Sequence, residues 1–536
     1  MKKFAIVVFA IALVGAGIFG ASIKYGGTIT IAPTLFGQHV YNFNPFLRSG
    51  TSYAARGLIY ETLFYVNPYN GEISPWLAES SKWTNGNKTL VVTLKKGIKW
   101  SDGQNFTAED VVFSFELLKK FPALDTAAIW SSGLKSVSLI SNYTVDFNYA
   151  KVNVPAVVNL ANVYIVPKHI WSKVENPVKY VNHDPIGTGP FLLDQFSSAV
   201  FTMKRNPNYW QTGKPYIDEI RIPSYTGNET ADLSLIKGNL DWAGLFIPNI
   251  KKVYVSKDPK NNHYWLPQGN LVGLFLNNKK AQLDNPLVRK AIAMAINKEQ
   301  IVKIAEYGYT TPANAVAIKS PGFDYLIDEN LKPLWYSYDP QASIALLEKL
   351  GYKKGSDGIF QKDGKKLSFN LYVVTGWTDW VTAVQLISRQ LKAIGIQANV
   401  STLSFGAYLS NIREAKYDMA ISWATAGSNP FFLYDNMLNT SNMRGSNREK
   451  YSNVITDAIL SAYRTTSNPV EQKEAMNALQ LVMLEQVPSV PLFFNPTWFE
   501  YSTKRFVGWP SPQNAYAYPE TMGMGKAIIL SNIHLK

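Results

Sequence analysis

The sequence predicts an α/β protein built from several domains. Three observations predict it. Segments of alternating polarity are followed repeatedly by segments of helical period. The helical segments open on side chains that can cap, and on prolines suited to a first turn. The chain has 536 residues, enough for about three or four domains at roughly 150 residues each.

In chain order, Thr28-Ile29-Thr30-Ile31 alternates and reads as a half-buried strand. Residues 42–46, Asn-Phe-Asn-Pro-Phe, form a loop, and residues 53–64 read as a helix. Residues 90–94, Leu-Val-Val-Thr-Leu, are a strand. Lys95, Lys96 and Gly97 turn it, and Ile98, Lys99 and Trp100 begin a short second strand. Asp102-Gly103 is a turn pair. Thr107 and Asp110 then form a capping box, with Asp in place of the usual Glu. The helix it opens carries Val111, Val112, Phe115, Leu117 and Leu118. Asn285-Pro286 starts another helix, whose face is Leu287, Val288, Ala291, Ile292 and Ala295. Asp339-Pro340 repeats the device and that helix stops at Gly351. A helix over residues 381–394 ends at Gly395. The chain shows no internal repeat and no low-complexity linker, so composition does not mark the domain boundaries.

The first 22 residues read as a secretory signal peptide. Lys2 and Lys3 precede an uncharged apolar run over residues 4–19, and Gly20-Ala21-Ser22 offers a small-residue cleavage site. No other apolar run approaches the ~20 residues of a spanning helix. The chain has no cysteine, so lipoprotein anchoring, disulfides and thiolate metal sites are not expected. The expected place of work is periplasmic or otherwise extracytoplasmic. Formal charge is +14, two units of it from Lys2 and Lys3. The basic residues are scattered in runs of two at most, which reads as a solvated surface with no nucleic-acid partner.

The signatures of nucleophilic and phosphate chemistry are missing. There is no G-x-S-x-G elbow and no Walker A loop. The five histidines, His39, His169, His183, His263 and His534, never pair at metal-ligand spacing. No metal, no cofactor and no catalytic residue is expected. An exported glycoside hydrolase is the alternative from another class. It would need two carboxylates facing a groove, one with a raised pKa.

Six blocks, in order, resemble the family 5 extracellular solute-binding proteins, the peptide, nickel and oligosaccharide binders of ABC importers. Tyr60-Glu61-Thr62-Leu63 with residues 75–80, Pro-Trp-Leu-Ala-Glu-Ser, is the first. Residues 94–103, Leu-Lys-Lys-Gly-Ile-Lys-Trp-Ser-Asp-Gly, continue through Phe106 to Val111 as the second. Pro185 to Phe191, with its Gly-Thr-Gly-Pro, is the third. Arg205-Asn206-Pro207-Asn208-Tyr209-Trp210, with Gly213 to Asp218, is the fourth. Val288-Arg289-Lys290-Ala291-Ile292, running to Asn297-Lys298, is the fifth, with Asn297 where the family commonly has Asp. Pro488-Ser489-Val490-Pro491-Leu492 is the sixth. They are turns, caps and core faces, so they speak for the fold more than for the ligand.

The resemblance implies a two-lobe, periplasmic-binding-protein-like α/β fold with an extra domain inserted in the first lobe. The boundaries it implies are residues 23–64, 188–274 and 505–536 for lobe I, 65–187 for the inserted domain, and 275–504 for lobe III. It also implies a monomer that closes on a small-molecule ligand and delivers it to the membrane subunits of an ABC importer, without catalysis. In peptide-binding relatives an Asp three residues after the tryptophan of Tyr417-Asp418-Met419-Ala420-Ile421-Ser422-Trp423 pairs with the peptide's α-ammonium. Here that residue is Ala426, and no acid follows as far as Pro430. A buried ammonium without a counter-charge is costly. The expected ligand is therefore a β-linked oligosaccharide, which wants aromatic platforms and hydroxyl-matching polar groups. An oligopeptide is the alternative. The expected ligand residues are Trp423, Trp130, Phe405 and Trp377, with Asn44, Arg48 and Ser49 from the loop after the first strand. Trp423 is the main anchor, with Ser422 and residues 424–427 expected to leave its face uncrowded.

Overall fold

The computed structural model describes residues 23–32, 36–47, 50–320 and 322–536. The expected signal peptide, Arg48 and Ser49 lie outside the described residues.

Two large sheets organise the chain. The first has seven strands, in the spatial order Asn262–Tyr264, Glu500–Ser502, Trp242–Ala243, Thr28–Ala32, Glu219–Pro223, Val200–Arg205 and Phe191–Phe196. The second has five, in the order Gln397–Leu403, Ser368–Val374, Met419–Ala424, Gln268–Leu276 and Ser489–Pro496. A four-stranded antiparallel sheet over residues 78–149 carries the Ala108–Lys120 helix and lies in the chain between strands of the first large sheet.

The chain passes between the two large sheets twice. Residues 265–267 lead into the second sheet and residues 497–499 lead back. These crossings are hydrogen-bonded to each other. Trp265 N–H donates to Phe499 O at 2.9 Å, and Thr497 N–H donates to Pro267 O at 2.7 Å. Two short connections side by side are the geometry of a hinge. The expected lobe boundaries shift accordingly. Residue 274 falls inside the Gln268–Leu276 strand, which pairs wholly in the second sheet. The Glu500–Ser502 strand lies before residue 505, yet it pairs with the first sheet.

Most local expectations hold for the physical reasons that suggested them. Thr107 N–H donates to Asp110 Oδ2 at 3.0 Å, closing the reciprocal arm of the capping box. The same carboxyl takes Trp100 Nε1–H at 3.2 Å and Lys168 N–H at 2.9 Å, so this block fastens three segments together. Asn285 caps Pro286–Met294 through Leu287 N–H at 2.9 Å. Asp339 caps Pro340–Lys349 through Ala342 N–H at 2.9 Å. The fifth block is also structural. The buried Arg289 guanidinium donates to Leu283 O at 2.6 Å, Val487 O at 2.8 Å and Gln486 O, closing the end of the Pro469–Gln486 helix.

Two elements differ. The helix expected over 53–64 is Gly50–Leu58, already kinked at Arg56 and Gly57. Gly57 has φ +79°, and a Cβ there would sit 2.9 Å from Gly523 O, so the turn belongs to packing against the C-terminal helix. The short strand expected at 98–100 is reduced to one bridge between Lys99 and Asn105 around the Asp102-Gly103 turn.

Candidate functional site

Trp423 stands one residue from the end of the Met419–Ala424 strand, in register with Val272 of the neighbouring strand. Trp377 precedes the Thr378–Ala393 helix, and Phe405 opens the Phe405–Arg413 helix. These elements gather the three rings with Trp380. Phe405 and Trp423 are nearly parallel, 11° apart with centroids at 6.4 Å. Trp377 lies 5.7 Å from Phe405 and 6.0 Å from Trp423, and Trp380 lies 6.2 Å from Trp423. Trp423, Trp377 and Phe405 are half-buried, while Trp380 is buried.

Contacts to the other lobe locate this cluster. Asn228, at the start of a first-lobe helix, donates from Nδ2 to Thr378 Oγ1 at 3.5 Å. A Cβ on Gly71 would lie 2.9 Å from Ser428 O, just beyond the Trp423 strand. Trp377 and Trp423 therefore stand beside two of the places where the lobes touch.

The expected emptiness around Trp423 is corrected. Besides the rings, the Arg448 guanidinium lies over its indole with Cζ 3.7 Å from the ring centroid. Arg448 Nη1 also donates to Ser422 Oγ at 2.6 Å. Arg448 was not among the expected residues. It lies 25 positions downstream in Asn447-Arg448-Glu449-Lys450, and no local pattern there ties it to Trp423.

The carboxyls behind the cluster are buried. Asp379 is pushed up to about 6 by burial, against hydrogen bonds from the backbone of Trp380 and Asp379 itself. Glu306 is raised by burial and by the neighbouring Asp379. Glu449, beside Arg448, is pushed up to about 8 by burial. Among the described residues no group of three His, Cys, Asp or Glu could hold a metal ion.

Of the other expected residues that are described, Trp130 and Asn44 lie elsewhere. Trp130 packs on the Ala108–Lys120 helix, with Nε1–H donated to Phe115 O at 2.9 Å and Lys119 Nζ 4.4 Å over its ring. Asn44 is fully buried. Its Nδ2 group donates to Pro177 O and Tyr180 O, both at 2.9 Å, and its Oδ1 accepts from Phe46 N–H at 3.1 Å. In this arrangement Asn44 clamps a loop.

A hinged pair of α/β lobes with aromatic rings beside their contacts is an architecture for capturing a solute. Residues 72–445 match the family described as bacterial extracellular solute-binding proteins, family 5 Middle. The chain belongs to this family. Its members are substrate-binding proteins of ABC importers, periplasmic in location. The dipeptide-binding protein of Escherichia coli K12 is 26% identical over 500 residues, covering 87% of this chain and 89% of that protein. A glutathione-binding protein of another E. coli strain is 25% identical over 506 residues, covering 90% and 93%. A periplasmic oligopeptide-binding protein of Thermotoga maritima, solved with mannohexaose bound, superposes with a TM-score of 0.87 at 28% identity. That match covers 95% of this chain and 98% of the other. As a family member, this protein binds a small ligand and presents it to the membrane subunits of an ABC importer. Among the described residues no helix is long and apolar enough to cross a membrane.

Proposed function

We propose that the solute is an oligosaccharide, held between the lobes with a sugar ring stacked on Trp423. The observation that carries this is the half-buried cluster of Trp377, Phe405 and Trp423. It offers apolar ring surface, although the Arg448 guanidinium lies over the Trp423 indole, and residues 424–434 beside it contain no carboxylate. Stacking on an aromatic face suits the C–H surface of a sugar ring. A peptide amino terminus at the same place would lack the counter-charge that its burial demands. Mannohexaose in the T. maritima relative supports the same reading. Export directed by residues 1–22, function as a monomer and binding without turnover belong to this proposal.

Isothermal titration with mannohexaose, β-linked di- and trisaccharides, and a set of tri- to pentapeptides tests it. Sugars are expected to bind and to be recovered unchanged by chromatography. Binding of peptides alone would sink the sugar reading in favour of an oligopeptide ligand, the class suggested by the dipeptide-binding relative.

A further inference from the structure

We infer that Gly71 is a positioning residue for closure: its missing side chain lets the two lobes shut beside Trp423, and a Cβ at this position acts as a wedge between them.

Gly71 sits near the tip of a hairpin that is rooted on one lobe and touches the other. Strands Phe64–Val66 and Ile73–Pro75 pair antiparallel, with residues 67–72 turning between them. The turn is braced from within. Asn67 N–H donates to Glu72 O at 2.9 Å, Gly71 N–H to Asn67 O at 2.8 Å, and Tyr69 N–H to Asn67 Oδ1 at 3.0 Å. The root is fastened to the C-terminal part of the first lobe. Asn67 Nδ2 donates to Ala515 O at 3.1 Å, and the Tyr65 hydroxyl oxygen accepts Tyr518 N–H at 2.9 Å. The Tyr518 hydroxyl pairs in turn with Thr497 Oγ1 and donates to Gln268 O at 3.4 Å, at the two crossings of the hinge. Tyr69 meets Trp265 of the first crossing edge to face, with centroids at 5.3 Å. Two residues of chain, at most about 7 Å, then bring Gly71 onto Ser428 of the second lobe.

The contact is backbone against backbone, and neither side has room to give. A Cβ on Gly71 would lie 2.9 Å from Ser428 O, where ordinary contact begins at 3.4 Å. The carbonyl stands on a fixed turn. Asn436 Nδ2 donates to Thr425 O at 3.1 Å, Ala426 N–H donates to Asn270 Oδ1 at 3.2 Å, and Asn429 Oδ1 accepts Phe431 N–H at 2.9 Å. Gly71 also has φ +74°, but that alone would admit Asn, which this chain places at positive φ at positions 85, 87, 182 and 249. The closeness of Ser428 O is what excludes a side chain. With hairpin and turn both braced, the added bulk is accommodated by rotation of the lobes about the crossings. That rotation also parts Val154 N–H from Arg464 O, now 3.0 Å apart, where the inserted domain meets the second lobe.

The test counts closures without any ligand. The chain has no cysteine, so Val154→Cys with Thr465→Cys supplies the only two thiols, and a short bis-maleimide joins them when the lobes meet. Gly71→Asn is compared in this background with Gly86→Asn. Gly86 has φ +60° and open space where its Cβ would stand, so it bears the backbone cost without the contact. Gly71→Asn should slow cross-linking by about fivefold or more, and Gly86→Asn should stay within about twofold of the parent pair. The urea midpoints of the two Asn variants should be alike, because the wedge is relieved by opening. A cross-linking rate within about twofold of the parent in Gly71→Asn overturns the inference, and with a lowered urea midpoint it makes Gly71 a packing residue of its own hairpin. A parent pair that never cross-links overturns it as well, since the lobes then do not meet. Titration with mannohexaose, without the cysteines, should show affinity falling by the same factor as the cross-linking rate, because apparent affinity scales with the binding-competent fraction. Unchanged affinity in Gly71→Asn overturns the inference. Failure of mannohexaose to bind the parent counts against the sugar reading alone, because the cross-linking rate still judges Gly71.

Discussion

Two tryptophan-rich clusters in this molecule use the indole in opposite ways. Around Glu61 the rings point their polar edges inward. Trp76 Nε1–H, Trp210 Nε1–H and Tyr209 O–H donate to the one carboxyl at 2.6, 2.9 and 2.9 Å, and Glu61 is fully buried. Around Trp423 one ring, Phe405, lies nearly parallel to the indole while Trp377 is tilted to it, and no hydrogen bond among the described residues engages Nε1 of Trp377 or Trp423. The difference teaches where to look for a ligand. An indole whose N–H is spent on a buried acid is part of the frame. A half-buried indole with its N–H unspent still has an edge and a face to offer.

The largest effect should come from breaking the frame. Glu61→Ala strands three donors in the first-lobe interior and should cost about 3–5 kcal/mol of stability. Urea denaturation would measure it, and a cost below about 1 kcal/mol would show that the cluster is not held by its carboxyl.

Trp423→Ala should do the reverse. Affinity for the ligand should fall by roughly 1–3 kcal/mol, on the analogy of base–aromatic stacking. Ligand-free stability should change by less than the ~3–5 kcal/mol of a core tryptophan deletion. A variant that binds normally but unfolds early would move Trp423 into the frame as well.

Acidity should also separate the two states of the chain. Burial pushes Glu61 up to about 7, and Glu449 and Asp232 up to about 8. The unfolded chain releases these protons near pH 4, so the native state alone holds them at pH 5. Stability is then complete below about pH 4 and is lost as pH climbs through these raised values. The buried Lys298 and Lys526, held down to about 8 and about 7, do not offset the trend below pH 7. The urea midpoint should be higher at pH 5 than at pH 7, and Glu449→Gln should reduce the slope. A higher midpoint at pH 7 would contradict this assignment of protons.

The smallest effect should be at Trp130, whose N–H is already committed to Phe115 O. Trp130→Ala should change ligand affinity by less than about 0.5 kcal/mol. A larger loss by titration calorimetry would place the inserted domain at the ligand.

What the sequence made legible was local. Thr107 with Asp110, Asn285 with Pro286 and Asp339 with Pro340 announce helix starts, because a cap and its amide lie within four residues of each other. The tryptophans at 377 and 423 could be singled out by their neighbours in the chain. The bend at Gly57 could not, since it answers to Gly523 at the far end of the sequence. Nor could Arg448 be found, because a cation resting on a ring needs only proximity in space and leaves no spacing rule. The same holds for the hinge, where residues 265–267 and 497–499 meet across more than two hundred positions.

That arrangement has a consequence for the order in which the protein can be made. The second sheet is drawn from one continuous stretch, residues 268–496, and has all its strands once that stretch has been synthesised. The first sheet waits for the Glu500–Ser502 strand to fill the place between Trp242–Ala243 and Asn262–Tyr264. Its lobe waits longer still for the Met524–Asn532 helix, eight of whose nine residues are buried. Lys24 finally bridges to Leu535, and its Nζ donates to Lys536 O at 2.8 Å, so the beginning of the lobe is fastened by its end. The lobe that starts first is therefore the last to be completed, its sheet and its closing helix both waiting on residues that follow the whole of the second sheet.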